Sequence, residues 1–190
     1  MMSIEEAINA YPGRLLALDL GSTTGWCFQN PFLANHGGTR RFDRKRGDNL
    51  AMRFVSFRAW LQELYQVYHF DVVVYESAGH HAGANDAHVF GGFEAALHEF
   101  CMQKTHATNG YDRPELAITT HPSTAIKKFA VPRELGGGRA SKDRMVEMCR
   151  CRLGIVPQTH DEADARFLLC LELADKTAWA LPAVESQTSK

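Results

Sequence analysis

Four acidic residues in this chain stand where regular structure would point them toward one place. Asp19 and Glu76 each end an apolar run of strand character, and Asp161 and Asp164 lie at the start of a late helical segment. Carboxylates this close to apolar strands are costly unless a positive charge lies among them. Hard divalent cations such as Mg²⁺ prefer carboxylate oxygens together with water and phosphate. The four acids therefore predict a metal-dependent site that cleaves phosphodiesters.

Each of these acids also has an ordinary structural explanation. Asp19 could cap the glycine-rich turn that follows it, and Glu76 could lie at a solvated edge of a sheet. Asp161 and Asp164 could favour the helix macrodipole from the first turn. Their spacing of three residues places both on one helix face, and the two strand-end acids then favour metal ligation by all four. Glu162 shares neither that face nor the pattern, so the sequence predicts a solvated side chain there.

The elements that would carry these acids mix strands with helices. Three short strands come first and predict an antiparallel meander, at about residues 14–20, 26–28 and 38–42. Two further buried strands are predicted at about residues 72–77 and 116–120. Helical spacing is found at about residues 50–68, 86–104, 123–129, 142–153 and 162–178. This order predicts an α/β domain with a mixed central sheet, the meander followed by parallel strands, flanked by helices.

The size and composition bound the class of protein. A chain of 190 residues is large enough to bury a core without disulfides, and five unpatterned cysteines suit a reducing compartment. No apolar run approaches the roughly 18 residues of a membrane helix, and the acidic N-terminus lacks an apolar signal core. We expect a cytoplasmic protein without membrane contact, divided into a loose N-terminal arm (1–13), one domain (14–180) and a C-terminal tail (181–190).

The charge of the chain is unevenly distributed, although its net value is −1. Residues 39–58 hold seven Lys or Arg and two Asp, and residues 127–152 hold eight Lys or Arg and three acids. Residues 161–175 hold five acids and one Arg. Two basic segments beside an acidic pole suit a phosphate backbone, which binds proteins through counterion release. Solvated helix faces and loops are the alternative explanation for such charge runs.

The order of these motifs resembles that of the RuvC-type Holliday junction resolvases of the ribonuclease H-like superfamily. The shared order is a strand ending in Asp before a Gly turn, a strand ending in Glu, and a late helix with Asp-x-x-Asp-Ala. The segments Pro122–Lys128 and Gly138–Val146 look like the family's Pro-x-x-x-Ile/Val-Lys and Gly-x-Ala-x-Lys-x-x-Val pattern. The resemblance spans about residues 14–175. Adjacent histidines at 80 and 81 and the basic run at 40–46 look closer to divergent phage-encoded members.

The resemblance implies a role for each matching residue. Asp19, Glu76, Asp161 and Asp164 would hold two Mg²⁺ or Mn²⁺ ions about 4 Å apart, and Lys142 would approach the scissile phosphate. The implied activity is that of an endodeoxyribonuclease that hydrolyses phosphodiesters in branched DNA, above all in four-way junctions. Ten further residues are candidate DNA contacts: Arg40, Arg41, Arg44, Lys45, Arg46, His80, His81, Lys127, Lys128 and Arg139.

The resemblance also implies an assembly. Resolution of a four-way junction needs two symmetric cuts, so a homodimer is expected, and a dimer with two-fold symmetry matches a two-fold junction. The helix around residues 91–100 is a candidate for the dimer surface.

Three other functions stay open at this point. A nucleotide-binding protein of the actin-like ATPase class could use residues 19–25 as a phosphate loop, although that class needs two such domains and a second phosphate motif. A non-catalytic nucleic-acid-binding module would have no reason to hold four acids together. A different ribonuclease H-like nuclease, acting on RNA–DNA hybrids or in RNA processing, is separated only by the resemblance around residues 122–146.

Overall fold

The computed structural model describes residues 2–43, 46–47, 49–77, 83–107, 116–132 and 140–181, with the side chains of residues 105–107 excepted. Its strands are β1 (Leu15–Asp19), β2 (Thr23–Phe28), β3 (Gly37–Arg41), β4 (Val72–Ser77) and β5 (Ala117–Pro122). Its helices are α1 (Ile4–Ala10), α2 (Met52–Tyr68), α3 (Ala84–Ala107), α4 (Ser123–Ala130), α5 (Lys142–Met148) and α6 (His160–Lys176). The predicted α/β class is confirmed.

The strands form one mixed sheet in the order β3-β2-β1-β4-β5. β1, β2 and β3 pair antiparallel as the predicted meander, whereas β4 is parallel to β1 and β5 is parallel to β4. Parallel neighbours need long crossovers, and α2 and α3 provide them. The carboxyl ends of β1 and β4 therefore lie side by side at one end of the sheet.

Each face of the sheet has its own hydrophobic core because side chains alternate along a strand. Leu16 and Leu18 face a core that α2 and α3 supply with aromatic side chains, among them Phe57 and Phe93. Leu15 and Ala17 face the other core, which includes residues of α1, α4, α5 and α6. Asp19 continues the second series, so it points toward the α6 face.

α6 is the central helix of that second face. Eleven of its residues are buried, from Glu162 to Leu173, and three of these, Glu162, Arg166 and Glu172, have charged side chains. The helix begins at His160, and the Thr159 hydroxyl caps it by accepting from the Glu162 backbone N–H at 3.3 Å. The sequence predicted this helix and placed its start two residues later.

Both ends of the chain pack more closely on the core than the sequence predicted. The prediction of a loose arm over residues 1–13 is wrong for α1, which has a capping box between Ser3 and Glu6 and buries Ala7 completely. A reciprocal cap satisfies two backbone donors at once and can hold a seven-residue helix. Trp179 and Leu181 are buried in the same core, while residues 182–190 of the predicted tail lie outside the described part.

β5 differs from the buried strand that the sequence predicted. It lies at the edge of the sheet, and most of its residues are partly or fully exposed. Its run of Ala, Ile and Thr was too short to separate a central strand from an edge strand. Of the helices that the structure describes, none is both long and apolar enough to span a membrane.

Candidate metal centre

Two of the predicted acids meet because their strands are parallel neighbours. Leu18 of β1 lies opposite Tyr75 of β4, so the next residues along the two strands, Asp19 and Glu76, stand side by side. Both follow side chains that face α6, Ala17 and Val74. Alternation along each strand therefore places both carboxylates on the α6 face at the carboxyl end of the sheet.

The N-terminal part of α6 brings the third acid, Asp164, to this point. Ligand oxygens of Asp19, Glu76 and Asp164 all lie within 4.8 Å of one another. The helix can come this close because β2 carries Gly25 directly opposite Asp19. A Cβ atom at Gly25 would lie 1.9 Å from the Asp161 carbonyl oxygen, far inside contact distance. The absence of a side chain at this position is what lets α6 rest on the sheet beside the acids.

The structure argues against the explanation that Asp19 only caps the glycine-rich turn that follows it. The turn after β1 is closed by Thr24, whose hydroxyl donates to the Gly21 carbonyl at 2.8 Å and accepts from the Gly21 N–H at 3.4 Å. Thr24 is completely buried. The turn therefore has its own closing residue, and Asp19 is left to face the other two acids.

Burial and mutual repulsion make these carboxylates poor acids. Burial, and then the charges of Glu76, Asp164 and Asp161, raises the pKa of Asp19 well above its usual range. Burial also raises the pKa of Glu76, against the opposing effects of a hydrogen bond with Ser123 and the charge of Lys127. Burial and Glu76 raise the pKa of Asp164 to about 7. The positive charge of the nearby lysines therefore does not offset the burial and repulsion of the ionised carboxylates.

The cluster fits a divalent cation. Three carboxylates within reach of one point are a donor set that Mg²⁺ and Mn²⁺ favour. The Oδ1 atom of Asp164 is buried without a hydrogen-bond partner, although buried polar atoms are normally satisfied. Such a cation would satisfy that oxygen and offset the repulsion among the three acids.

Asp161 stands beside this group rather than within it. Its Oδ1 lies 3.0 Å from Nε2 of His160, and its charge contributes to the raised pKa values of Asp19, Glu76 and Asp164. The structure thus brings three of the four predicted ligands together, with the fourth close enough to act on each of them. The imidazole of His160 is thus the direct neighbour of the Asp161 carboxylate.

Two predicted basic residues lie near the acids. The charge of Lys127, on α4, acts on Asp19, Glu76 and Asp164, so its ammonium faces the cluster. The charge of Lys142, at the start of α5, acts on Asp164. α4 and α5 therefore border the acids with positive charge, while the neighbouring Lys128 points to solvent.

The remaining candidate DNA contacts are divided between described and undescribed parts of the chain. Arg40 and Arg41 are exposed on β3 opposite Thr24 and Thr23, next to the turn that follows Asp19. Arg46 is exposed in the segment between β3 and α2. The other five candidates, Arg44, Lys45, His80, His81 and Arg139, lie outside the described residues.

The sequence missed two features of the site. Ser123, the first residue of α4, lies near Glu76 and acts to lower the pKa of its carboxyl, and a lone Ser gives no signal of this kind. The predicted solvation of Glu162 is wrong, because its side chain is 3% exposed and pairs with buried Arg166 at 2.8 Å. The spacing of an acid and an arginine four residues apart is typical of a helical ion pair, but the polar residues around Glu162 gave no indication that the pair would be buried.

The raised pKa of Asp164 predicts how metal binding depends on pH. In the metal-free protein the folded state holds a proton between the ordinary value of 3.8 and about 7 that the unfolded state has lost. The unfolding free energy should therefore fall as pH rises through this window and level off above it. Because a cation needs the ionised carboxylate, stabilisation by Mg²⁺ should grow over the same window.

Calorimetric melting of the wild type and of Asp164→Asn, with Mg²⁺ or with chelator from about pH 5.5 to about pH 8, measures both trends. In chelator, the unfolding free energy of the variant should fall less steeply with pH than that of the wild type, because Asp19 and Glu76 still contribute while Asp164 no longer does. The variant should also lose the stabilisation by Mg²⁺. A Mg²⁺ effect on wild-type melting that is the same at every pH would contradict the assignment of Asp164.

Comparison with known proteins gives structural neighbours only. No protein-family model and no curated protein sequence matches the chain. RuvC of Thermus thermophilus in complex with a Holliday junction substrate has a TM-score of 0.64 at 16% identity, over 90% of this chain and 99% of that one. Another Thermus thermophilus RuvC structure has a TM-score of 0.61 at 16% identity over the same shares of the two chains.

A third neighbour comes from yeast. The mitochondrial Holliday junction resolvase Ydc2 has a TM-score of 0.56 at 13% identity, over 89% of this chain and 85% of that one. The chain therefore has the ribonuclease H-like fold of these resolvases, and the resemblance predicted from the motifs is confirmed at the level of the fold. Closeness to phage-encoded members stays a prediction.

Proposed function

We propose that this protein is a metal-dependent endonuclease that resolves four-way DNA junctions by paired phosphodiester hydrolysis. The observation that carries the proposal is the convergence of Asp19, Glu76 and Asp164 within 4.8 Å, on the fold shared with RuvC and Ydc2. A cluster of acids without a matching cation has no structural use, because its repulsion lowers stability. Binding of Mg²⁺ or Mn²⁺ gives the cluster a function.

The residues of the site would have different roles in such a reaction. Bound divalent cations would polarise the scissile phosphate and lower the pKa of an attacking water. Asp19, Glu76 and Asp164 would hold these cations, with Asp161 as a further ligand from the edge of the cluster. The Ser123 side chain acts to lower the pKa of Glu76, which favours the ionised carboxylate that a cation needs.

The lysines around the acids supply the contact with DNA. Lys127 and Lys142 both act on the acidic cluster, so a phosphate bound over the cluster would lie within their field. Positive charge aimed at a phosphate stabilises the charge that develops in the transition state. Arg40, Arg41 and Arg46 would contact the backbone farther from the cut, together with the five candidates outside the described residues.

Lys127 should matter far more than its neighbour Lys128. Lys127→Ala removes the ammonium that faces the acids, and cleavage should fall about 10²-fold with little change in junction binding. Lys128→Ala removes the same charge from an exposed position, and cleavage should stay close to that of the wild type. Single-turnover rates at saturating protein measure this difference, and equal losses for the two variants would contradict the assigned role.

The substrate and the assembly are part of the same proposal. Two symmetric cuts in a two-fold junction fit a homodimer with two-fold symmetry, and α3 is the candidate for its surface. The functional unit would then be a dimer of the domain over residues 14–180, with α1 of each protomer packed on its own domain.

A panel of labelled DNA tests this function: four-way junctions, flaps, linear duplexes and RNA–DNA hybrids, each with Mg²⁺, Mn²⁺ or chelator. Paired symmetric nicks in the junction that need a divalent cation would support the proposal. Cleavage of flaps or hybrids instead would keep the site and replace the substrate. Junction binding without any cleavage would favour a non-catalytic module, and ATP hydrolysis without DNA cleavage would favour the actin-like class.

A further inference from the structure

Arg166 is a charged side chain with no exposure to solvent. Its Nη1 donates to the carbonyls of Pro31 at 2.7 Å and Leu33 at 3.1 Å, and its Nη2 donates to the Ala34 carbonyl at 3.1 Å. Its Nε donates to Oε1 of Glu162 at 2.9 Å. A buried guanidinium is tolerated only when its charge and its donors are matched in this way. The loop between β2 and β3 is therefore tied to α6 through one side chain.

The partner of Arg166 extends this connection toward the acids. Oε2 of Glu162 accepts from the backbone N–H of Gln158 at 2.8 Å, so the segment before α6 is bound to the same pair. Glu162 lies between Asp161 and Asp164 in the chain and faces away from the acidic cluster. The pair thus fixes the backbone of the first turn of α6 from the side opposite to its metal-facing residues.

The sheet leaves room for this arrangement at two glycines. A Cβ atom at Gly37 would lie 2.6 Å from Nη2 of Arg166, as a Cβ at Gly25 would lie 1.9 Å from the Asp161 carbonyl oxygen. The two glycines are on adjacent strands, and Cys27, two residues after Gly25, lies opposite Gly37. Two glycine positions on this face of the sheet therefore make room for the first turn of α6 and for the guanidinium that holds it.

Stability alone gives no reason for a buried ion pair at this position. Well-packed apolar side chains of similar volume often stabilise a core as well or better. The acids on the other side of this turn repel one another when no cation is bound, and that repulsion pushes Asp164 away from Asp19 and Glu76. The planar guanidinium of Arg166, with its directed hydrogen bonds, resists such a movement better than apolar contacts do.

We propose that Arg166, with Glu162, is a positioning residue that holds the first turn of α6 so that Asp164 stays in reach of Asp19 and Glu76 for cation binding. This inference rests on the proposed metal-dependent function. It adds a role for a residue that touches neither the cation nor the DNA. The expected consequence is a change in metal affinity in a protein that remains folded.

The test replaces the pair as a unit, Glu162→Leu with Arg166→Met, so that no charge is left buried alone. The double variant should stay folded, bind Mn²⁺ about tenfold or more weakly by calorimetric titration, and bind junction DNA like the wild type. Its cleavage should recover partly as Mn²⁺ is raised. Arg166→Lys keeps the positive charge but loses the planar guanidinium with its several donors. Its Mn²⁺ affinity should lie between that of the wild type and that of the double variant.

A control comes from the other end of α6. Glu172 is also buried and accepts from Tyr11 at 2.8 Å, with His121 at 2.7 Å, but it lies far along the helix from the acids. Glu172→Gln keeps the same shape, and any loss of thermal stability in this variant should leave Mn²⁺ affinity unchanged. An equal loss of affinity here would show that general loosening of α6 is the cause, which would overturn the proposal.

The remaining outcomes are also decisive. A folded double variant with wild-type Mn²⁺ affinity would overturn the positioning role. If the double variant does not fold, Arg166→Lys decides the question, and wild-type affinity in that variant would overturn it equally. If wild-type protein binds Mn²⁺ no better than Asp19→Asn, the proposed metal site itself is wrong. This result is separate from a failure of the positioning role, because Arg166 is unchanged in both proteins.

Discussion

Asp19→Asn should abolish DNA cleavage while making the metal-free protein more stable. Asp19 is the acid on which burial and the other three acids act together, so it is central to any bound cation. Loss of one ligand should cost several kcal/mol of transition-state stabilisation, or about 10³-fold or more in the cleavage rate. Junction binding should persist, because the lysines and arginines that contact phosphates are unchanged.

The gain in stability follows from the same electrostatics. An amide of nearly the same shape removes one member of a cluster of repelling carboxylates, and each kcal/mol of repulsion removed raises Tm by about 2–4 °C in a chain of this size. Mg²⁺ should then no longer raise Tm, since it has lost a ligand. Active sites are commonly built at a cost in stability, and the acidic cluster is such a case.

Cleavage and melting with Mg²⁺ or chelator measure these effects. Glu63→Gln is a suitable control, because it removes the same charge from an exposed position on α2. That variant should match the wild type in cleavage and in its response to Mg²⁺. An Asp19→Asn protein that still cuts junctions at a rate near that of the wild type would refute the assigned site.

Gly25→Ala should disable the site without changing any acid or base. The added Cβ would lie 1.9 Å from the Asp161 carbonyl oxygen and 2.8 Å from the Glu162 nitrogen. Both are backbone atoms of the first turn of α6, so rotation of a side chain cannot relieve the clash. The turn must move away from β2, and Asp164 moves with it. A displacement of about 1 Å at a catalytic group can cost about 10²-fold in rate.

The thermal stability of this variant should also fall, since overpacking in a close-packed core typically costs about 1–3 kcal/mol. Gly91→Ala is the matched substitution, because nothing lies within 4 Å of a Cβ atom at that position in α3. It should raise stability by up to about 1 kcal/mol, the gain of Ala over Gly inside a helix. Cleavage at wild-type rate by Gly25→Ala would show that the close approach of α6 to β2 is dispensable.

The convergence of the acids was predictable from the sequence because strand periodicity decides it. Asp19 and Glu76 end clear apolar strands, and parallel neighbours bring their carboxyl ends together. The helical segment with Asp164 contains a continuous apolar run over residues 167–171, which favours a position over the sheet. These are strong local patterns, and they fix which faces meet even when the bounds of an element shift by two residues.

The distances within the site were not predictable in the same way. Whether Asp161 joins the cluster or stands beside it depends on the rotation of α6 over Gly25, which spacing alone does not determine. The buried state of Glu162 depends on carbonyls of a loop more than a hundred residues earlier in the chain. α1 was missed because seven polar and apolar residues show little periodicity, although Ser3 and Glu6 carry the capping signal.

The position of β3 at the margin of the sheet has a consequence for experiments on DNA binding. No strand in the described part of the chain pairs with its outer side, and such edge strands can recruit strands of other molecules unless charged side chains prevent it. Arg40 and Arg41 sit on this strand, so their charges keep separate molecules from joining into extended sheets. Variants that remove these charges should use Gln rather than Val or Thr; otherwise loss of DNA binding would be confused with aggregation.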